Sequence, residues 1–223
     1  MRALVMAKAK QTDAVEALLL GWIDKGQLLP GAAIDEAGHM AACSVSRTPV
    51  REALIRLEAL GLLVRHPRKG VHLFRPDVSA FLAILEVHSF LEAQATGLAA
   101  QRLSPMQRRA LEESVAACQM LAKSHAMDRH ADYDALNMRF HEIIAEAAQN
   151  ACLLETSKLN ARKVMTQYRL RYRMPGAIEA SATEHAGIAA HILGGRSQEA
   201  QEAMLKHFNY DQETVMQMIA SIG

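Results

Sequence analysis

The chain has 223 residues, which suits one large domain or a small and a medium one. Half of its residues are hydrophobic, so a chain that is disordered throughout is excluded, and only 4% are aromatic. The net charge of +1 is divided unevenly: residues 1–76 carry 11 Lys and Arg against 7 Asp and Glu, a net of +4, whereas residues 77–223 carry 14 against 17, a net of −3. A basic front half before an acidic back half is typical of a nucleic-acid module joined to a second domain.

Cysteine usage and hydropathy exclude two further classes of protein. Cys43, Cys118 and Cys152 are odd in number, far apart and in no CxxC pair, so neither a disulfide framework nor a structural zinc knuckle is expected. The apolar stretch 17–23 is too short to span a bilayer, and the N-terminus lacks the long apolar run of a signal peptide. We therefore expect a soluble protein of the reducing cytoplasm that has no membrane partner.

Three helices are predicted in the first 60 residues. The first covers about 12–25, where apolar residues recur at helical spacing, and a short second helix covers about 35–42. The third covers 46–60, with Ser46 as its N-cap and Pro49 tolerated in the first turn. Its inward face is predicted to consist of Val50, Ala53, Leu54, Leu57 and Leu60.

The period of the sequence changes after the third helix. The runs 62–64 and 71–74 are short and β-prone, and the segment 65–70 between them holds Pro67, Gly70 and basic residues that suit a hairpin turn. Three short helices followed by a basic hairpin form the winged helix-turn-helix arrangement.

The rest of the chain is predicted to be entirely helical. Pro76 marks the linker, which divides the chain into one domain of residues 1–76 and another of residues 77–223. Helices are predicted over residues 78–102, 105–124, 128–149, 151–173, 178–194 and 197–221. The expected fold class is therefore mostly α, with an N-terminal winged helix-turn-helix and a C-terminal all-helical bundle.

The outer face of the third helix carries side chains that suit DNA. With the apolar stripe facing inward, Arg47, Thr48 and Arg51 lie toward the opposite side, near the helix N-terminus that reaches base edges in the major groove. The fork of an arginine matches the O6 and N7 acceptors of guanine, and a threonine suits a phosphate. The hairpin adds three residues that suit phosphates or the minor groove, namely His66, Arg68 and Lys69. Charge and spacing alone favour this interpretation no more than an ordinary basic surface.

The segment 45–62 resembles the helix-turn-helix signature of the GntR family of bacterial regulators. It reads VSRTPVREAL.RLE..GL at the matching positions, and with its flanks the resemblance covers about residues 12–76. The resemblance implies contacts to bases or adjacent phosphates from Arg47 and Arg51, to a phosphate from Thr48, and to the minor groove from the Gly70 wing. One departure is visible at 42–44, where the chain has Ala-Cys-Ser and the family commonly has Arg-Leu-Gly or a similar triplet. That departure puts one backbone contact in doubt.

Ten histidines are present, and three of them are candidates for a metal site. His141 follows Asn137 by one helical turn, while His185 and His207 fall in the last two predicted helices. Three imidazoles and an amide oxygen from different helices would make a metal site in the core of a bundle. Spacing alone does not distinguish such a site from dispersed surface histidines or hydrogen-bonded core histidines. The HExxH pattern of zinc proteases is excluded, because Ala145 stands where its second histidine would be.

Residues 78–221 resemble the FCD type of effector domain, which accompanies the DNA-binding module in the FadR-like branch of the GntR family. The matching pieces are Phe140-His141, Glu184-His185 and Ala203-Met204 with His207. The resemblance implies a divalent metal on the three histidines and on an acidic residue one turn before the first of them, at the base of an effector pocket. Here that residue is Asn137, a weaker ligand than a carboxylate. Zinc is the first expectation, with nickel or manganese as alternatives.

A second departure concerns the effector. The first bundle helix of the family often offers an arginine to the pocket, and His88 stands at the matching position here. A carboxylate effector would then depend on the metal or on another cation. Arg162, Arg169 and Arg171 are candidates for that cation, and a solvated basic face is the alternative for each of them.

We therefore expect a sequence-specific DNA-binding transcriptional regulator rather than an enzyme. It would bind a two-fold-related, double-stranded operator as a homodimer, and a small organic acid or sugar acid in the helical domain would modulate that affinity. The alternative from another class is a metal-dependent hydrolase that uses His141, His185 and His207. It lacks a convincing general base, because Glu142 and Glu184 adjoin ligands and are expected to point away. A purely architectural DNA binder is the third alternative.

Overall fold

The computed structural model of the chain describes residues 2–38, 44–124, 129–210 and 212–220. The chain divides into two compact units, residues 1–76 and residues 77–223. The first unit combines helices with a β-hairpin, and the described residues of the second unit form helices and short connections only.

The N-terminal unit begins with helix α1 (Arg2–Asp24). The helix starts well before the predicted position, because the segment ahead of Thr12 is rich in Ala, Lys and Met and contains no Gly or Pro that would end it. Of the short second helix predicted over 35–42, residues 36–38 are helical, and Asp35 Oδ1 accepts a hydrogen bond from the Gly38 amide at 3.0 Å. Residues 39–43 lie outside the described part of the chain.

Helix α2 (Arg47–Ala59) follows Ser46, which occupies the predicted N-cap position but makes no side-chain cap hydrogen bond. Four of the five residues predicted to face inward are at most 1% exposed, namely Val50, Ala53, Leu54 and Leu57. The prediction for Leu60 is wrong, since it is 41% exposed. Leu60 stands at the C-cap, beyond the last helical residue and at the edge of the apolar stripe, and Gly61 turns the chain away with a φ of +68°.

Strands β1 (Leu63–His66) and β2 (Gly70–Leu73) form an antiparallel hairpin in which His66 lies opposite Gly70. The strands extend closer to the turn than predicted, so the turn itself contains only residues 67–69. Arg68 and Gly70 have φ values of +66° and +85°, the left-handed backbone that such short connections use. The segment 31–34, for which no strand is predicted, bonds to the other edge of β2, where the Ile34 amide donates to the Val71 carbonyl at 2.8 Å.

The described residues of the C-terminal unit form seven helices. These are α3 (Val78–Arg102), α4 (Pro105–Lys123), α5 (His130–Ala147), α6 (Ala151–Arg171), α7 (Ala177–Leu193), α8 (Ser197–His207) and α9 (Gln212–Ala220). Local caps define several starts: Asp77 Oδ1 accepts from the Ala80 amide at 2.7 Å, and Ser104 forms a capping box with Gln107. The boundaries of α3 therefore agree with the prediction, and those of α4 agree within one residue.

The prediction of one continuous helix over 197–221 is wrong, because the chain interrupts it between α8 and α9. Asn209 stands in this break, and an asparagine side chain competes with the backbone for the hydrogen bonds of a helix. The amides of Asn209 and Tyr210 instead bond to the carbonyls of Lys206 and Phe208 in close turns.

Helix α3 lies at the centre of the second unit and packs against α5, α6, α7 and α8. Its buried face mixes apolar residues such as Phe81 and Leu85 with the polar residues His88, Glu92 and Thr96. Among the described residues, α3 is the one helix that is long and apolar enough to cross a membrane by length and composition. Core helices share that property, and the buried polar side chains of α3 contact neighbouring helices of the bundle.

Candidate DNA interface and metal centre

The first turns of α2 present basic and polar side chains to solvent. Arg47, Thr48 and Arg51, which are predicted to contact DNA, are all exposed, and Ile55 is 52% exposed one turn further on. An exposed helix of this composition can enter the major groove, where arginines bind guanine edges and an apolar side chain meets thymine methyl groups.

A different arginine attaches α2 to α1. Arg56 Nη1 lies 2.8 Å from Asp13 Oδ1 and 3.2 Å from Glu16 Oε2. Nearby, the Thr12 hydroxyl donates a hydrogen bond to Glu52 Oε2 at 3.1 Å. Exposed ion pairs contribute little to stability, so their main effect is to orient α2 on α1. The arginines predicted to contact DNA are not the ones that hold the helix in place.

The hairpin places its four predicted contact residues at the tip. His66, Arg68, Lys69 and Gly70 are all exposed, while Val71 and Leu73 anchor the base of the hairpin in the core. Nothing lies within 4 Å of the position that a Cβ would take at Gly70, so the backbone there is open to approach. A basic tip with an open backbone suits a phosphate or the minor groove.

The three histidines predicted to bind metal converge inside the C-terminal unit. One ring nitrogen from each of His141 on α5, His185 on α7 and His207 on α8 lies within 4.8 Å of the other two. His185 is fully buried and its ring stacks on Phe140 at 3.9 Å, whereas His141 is partly accessible. Helices that are separate in the sequence therefore contribute one imidazole each to a common centre.

Carboxylates on two helices orient two of these rings. His141 Nδ1 lies 3.0 Å from Glu92 Oε2 on α3, and His207 Nδ1 lies 2.6 Å from Glu184 Oε2 on α7. An ionised carboxylate only accepts hydrogen bonds, so Nδ1 of each ring carries the proton and Nε2 keeps its lone pair. Carboxylate–histidine pairs of this kind orient the imidazole ligands of metal ions and raise their basicity.

Burial favours the neutral form of two of the three imidazoles, His185 and His207. It lowers the pKa of His207 to about 4 and lowers the pKa of His185 well below its ordinary value. Burial alone would raise the pKa of Glu92, but the hydrogen bond from His141 and the nearby histidines hold that pKa below its usual value. Neutral imidazoles beside ionised carboxylates are the form in which a divalent cation binds.

Asn137, the predicted fourth ligand, lies one helical turn before His141 on α5. It is 8% exposed, and its Oδ1 is buried without a hydrogen-bond partner among the described residues. The Nδ1 atom of His185 is buried without a partner in the same way. An unsatisfied buried polar atom costs about 1–3 kcal/mol, which coordination to a cation would offset. The donor set of three imidazoles and one amide oxygen therefore fits a divalent metal such as zinc.

Of the residues predicted to bind an effector, His88 lies beside this centre, with its Nε2 atom 4.0 Å from Glu92 Oε1. It is 3% exposed, and its ring packs against Tyr168 and Phe208 at centroid distances of 6.0 and 5.4 Å. Burial lowers the pKa of His88, so its ring is neutral, and its Nδ1 has no hydrogen-bond partner among the described residues. His88 therefore offers the interior a polar nitrogen without a permanent charge.

The three candidate arginines of α6 occupy different environments. Arg169 Nε lies 2.8 Å from Asp134 Oδ2, with 21% of its side chain exposed, and Arg162 is half-buried. Arg171 is only 7% exposed, and its guanidinium lies over the ring of Tyr210 at 4.7 Å. Arg171 is therefore the most buried of the three arginines, whereas Arg169 forms an ion pair with Asp134 on a neighbouring helix.

Sequence reasoning missed the roles of several polar residues in the C-terminal unit. Glu92 was not singled out, and Glu184 was expected to point away, yet each carboxylate accepts a hydrogen bond from a histidine. Gln167 was also missed; it is 1% exposed, and neither polar atom of its side chain has a partner among the described residues. One signal was available, because Glu92 is a charged residue one turn after His88 on a mostly apolar helix.

Comparison with known proteins identifies both units. The sequence pattern of the gntR family of bacterial regulatory proteins matches residues 11–73, and that of the FCD domain matches residues 83–210, more than half of the chain. The HTH-type transcriptional regulator LutR of Bacillus subtilis is 26% identical over 212 aligned residues, which cover 83% of this chain and 92% of LutR. The Nta operon transcriptional regulator of Aminobacter aminovorans is 25% identical over 191 aligned residues, which cover 85% of this chain and 87% of that protein.

Solved structures share the fold. Escherichia coli McbR/YncC superposes with a TM-score of 0.73 at 21% identity, covering 95% of this chain and 96% of that one. A GntR regulator from Rhodococcus sp. RHA1 gives a TM-score of 0.69 at 20% identity, covering 95% and 99%. The predicted fold class is confirmed, and the hydrolase alternative is not supported, because the family and these relatives are regulators rather than enzymes. The chain belongs to the GntR family of bacterial transcriptional regulators, and its helical unit carries an FCD domain.

Proposed function

We propose that this regulator binds a two-fold-related operator as a homodimer, and that a small carboxylate or sugar acid bound beside a divalent metal in the FCD domain changes its operator affinity. The observation that carries the proposal is the His141, His185 and His207 centre, in which carboxylates orient two of the three rings. A metal centre inside the domain that follows a DNA-binding unit provides a ligand-dependent switch.

The proposed DNA contacts come from α2 and the hairpin. Arg47 and Arg51 read base edges or bind adjacent phosphates, and Thr48 binds a phosphate. The hairpin contributes contacts to phosphates or the minor groove from His66, Arg68, Lys69 and Gly70. Their exposure, and the packing of α2 through its opposite face, support these roles.

The substitution Arg51→Ala tests the DNA contacts. We expect it to weaken binding of the full-length protein to DNA from upstream of its own coding sequence by about tenfold or more, since a bidentate arginine–guanine contact contributes about 1–3 kcal/mol. Arg109→Ala, which removes the same charge from an exposed position on α4, should bind like the wild type in the same gel-shift assay. Equal binding by Arg51→Ala and the wild type, or no specific protection upstream of this gene and its neighbours, would count against the proposal.

The proposed metal ligands are Asn137, His141, His185 and His207. Zinc suits a nitrogen-rich set of this kind, and nickel or manganese are the alternatives. The ion would act as a fixed positive centre that binds an oxygen of an acidic effector. Glu92 and Glu184 hold the rings of His141 and His207 in the tautomer that leaves Nε2 free to coordinate.

Elemental analysis of purified protein tests the metal. The wild type should retain about one equivalent of metal after zinc loading and desalting, and His185→Ala should lose it, because a missing first ligand weakens binding more than the 10–100-fold typical of outer partners. His191→Ala is the matched control, since His191 lies on the same helix and accepts a hydrogen bond from Arg196 outside the triad. Equal metal contents in the two variants would contradict the assignment.

The effector is proposed to bind beside His88, with Arg162 and Arg169 on the basic side of α6. The burial of His88 and its unpartnered Nδ1 support the first of these contacts. Binding would change the relative populations of two poses of the DNA-binding units in a homodimer, and a regulator of chromosomal DNA acts in the cytoplasm. Sedimentation analysis of the full-length protein tests the dimer, and a monomer at micromolar concentration in the presence of operator would contradict it.

A further inference from the structure

The interior face of α6 holds polar groups that the metal centre does not use. Gln167 is 1% exposed, and neither Oε1 nor Nε2 has a hydrogen-bond partner among the described residues. Arg171, one turn later on the same face of α6, is 7% exposed, and its Nη1 has no partner among them either. Native proteins keep buried polar atoms paired almost everywhere, so a cluster of unpaired ones marks groups that a ligand completes.

Arg171 connects this polar face to the histidine centre. It lies 3.7 Å from Glu184 Oε2, the same oxygen that accepts the hydrogen bond of His207 Nδ1. A separation of 3.7 Å gives an ion pair but is too long for a hydrogen bond, so the guanidinium retains capacity for a second anion. The guanidinium also lies over the rings of Tyr210 and Tyr172, at 4.7 and 5.7 Å, and its unpartnered Nη1 is the donor for that anion.

Aromatic rings pack between the triad and α6. The ring of Phe208 lies 5.7 Å from that of His141, 6.0 Å from that of Tyr168 and 5.4 Å from that of His88. The hydroxyl of Tyr168 is buried without a hydrogen-bond partner among the described residues. A ligand that contacts both the triad and α6 would therefore meet these rings with a small apolar body and would carry polar groups at its ends.

The charges around the centre limit the charge of that ligand. A divalent ion and the buried Arg171 would bring three positive charges against the two negative charges of the buried Glu92 and of Glu184, whose side chain is 42% exposed. One negative charge on the ligand balances this set of charges, and a second would be left uncompensated beside buried groups, where desolvation is unfavourable. Gln167 presents both a donor and an acceptor, which together match a hydroxyl or a carboxamide better than a second carboxylate.

We infer that Arg171 and Gln167 read the effector, and that the effector is a small monoanionic acid whose carboxylate binds Arg171 while a hydroxyl or carboxamide group binds Gln167. This inference rests on the proposed effector-binding function of the FCD domain. The cation that binds the effector carboxylate would then come from α6 rather than from position 88, because the buried guanidinium of Arg171 lies beside the histidine centre.

A series of four-carbon acids tests the ligand class by titration calorimetry on the zinc-loaded, full-length protein. The probes are butyrate, 2-, 3- and 4-hydroxybutyrate, succinamate and succinate, which differ in one polar group or in charge. We expect at least one hydroxybutyrate or succinamate to bind about tenfold tighter than butyrate, as one added buried hydrogen bond implies. Succinate, the dianion, should bind more weakly than succinamate.

Variants assign the two contacts. Arg171→Gln should lose about tenfold or more in affinity for every probe that the wild type binds, and Arg171→Lys should lose less, because it keeps the charge without the fork. Gln167→Leu should reduce the hydroxy and amide probes to the affinity of butyrate and leave butyrate unchanged. Arg173→Gln, an exposed position two residues after Arg171, removes the same charge and should bind every probe like the wild type.

Three outcomes would overturn the inference: a zinc-loaded wild type that binds none of the six acids, an Arg171→Gln protein with unchanged affinities, or a Gln167→Leu protein that still discriminates hydroxybutyrate from butyrate. Thermal melts followed by circular dichroism establish that each variant is folded, and Arg171→Lys with Gln167→Leu carries the test if Arg171→Gln does not fold. Zinc content and operator binding are measured on the same preparations. A wild type that neither retains zinc nor binds the operator would count against the proposed function. Variants that retain zinc and operator binding and whose acid affinities are unchanged would count against this inference alone.

Discussion

At the residue scale, Asn137 governs how strongly the proposed centre holds its ion. An amide oxygen carries only a partial charge, whereas a carboxylate at the same position would place a full negative charge beside a cation. Asn137→Asp should therefore raise zinc affinity by about tenfold or more, equivalent to about 1.4 kcal/mol, in a competition titration against a chelating dye. Asn137→Ala is the companion variant and should lower the affinity. Identical affinities for the two variants would remove Asn137 from the ligand set.

His88 gives the stability of the FCD domain a dependence on pH. Burial lowers its pKa in the folded state, so the unfolded chain takes up a proton near pH 6.5 that the folded chain does not. Because the unfolded state binds more protons, the free energy of unfolding falls as the pH decreases below about 6.5 toward the folded pKa. His88→Gln, which stays neutral, should show a smaller decrease between pH 7 and pH 5 in urea unfolding followed by circular dichroism.

The surroundings of His88 decide the size of that dependence. Glu92 Oε1 lies 4.0 Å from His88 Nε2 and favours the charged ring, whereas desolvation and the charge of a protonated His141 oppose it. Tyr168 and Phe208 cover the ring and exclude water. Measurements in the presence of a chelator keep bound metal from masking the effect. The same loss of stability in the wild type and in His88→Gln would show that His88 is not the group involved.

At the element scale, α2 depends on an inward stripe that is tightly packed and an outward face that is free of packing. Leu54 is fully buried and Ile55, the next residue, is 52% exposed. Leu54→Ala should destabilise the N-terminal unit by about 2–5 kcal/mol, the usual range for a buried leucine. Ile55→Ala should change its stability by no more than about 0.5 kcal/mol.

Trp22 allows the stabilities of Leu54→Ala and Ile55→Ala to be compared in the N-terminal unit alone. It is the single tryptophan of the chain and lies on α1, so its fluorescence reports the unfolding of the N-terminal unit. Urea denaturation of the two variants, monitored at this residue, gives the two free energies side by side. Equal destabilisation by Leu54→Ala and Ile55→Ala would mean that α2 does not pack in the register described.

Helix boundaries show which elements can be predicted from residues close together in the sequence. Ser104 followed by Pro105 and Gln107 forms a capping box, so the start of α4 is readable from four residues. Residues 208–210 contain neither Gly nor Pro, and the interruption between α8 and α9 was missed for that reason. The extended segment 31–34 was missed because its hydrogen bonds go to β2, forty residues later in the chain.

At the scale of the whole molecule, the proposed metal should stabilise the C-terminal unit selectively. All four proposed ligands lie in that unit, and an ion that binds the folded form alone stabilises it by about 2.7 kcal/mol at a hundredfold excess over its Kd. Addition of a chelator to zinc-loaded protein should therefore lower the melting temperature seen in total helicity. The Trp22 transition should stay in place. A shift of equal size in the two signals, or none in either, would contradict a zinc site confined to the FCD domain.

Local sequence patterns predicted the winged helix-turn-helix, the exposure of Arg47, Thr48 and Arg51, and the three histidines as candidate metal ligands. Helical period, caps and turn residues act over a few positions, and a recognition helix is legible because its two faces alternate within one segment. Packing between helices brings Glu92 and Glu184 to His141 and His207, and it buries Arg171 and Gln167. These contacts join helices far apart in the chain, and their distances depend on how α3, α5, α6, α7 and α8 pack together, which no local pattern specifies.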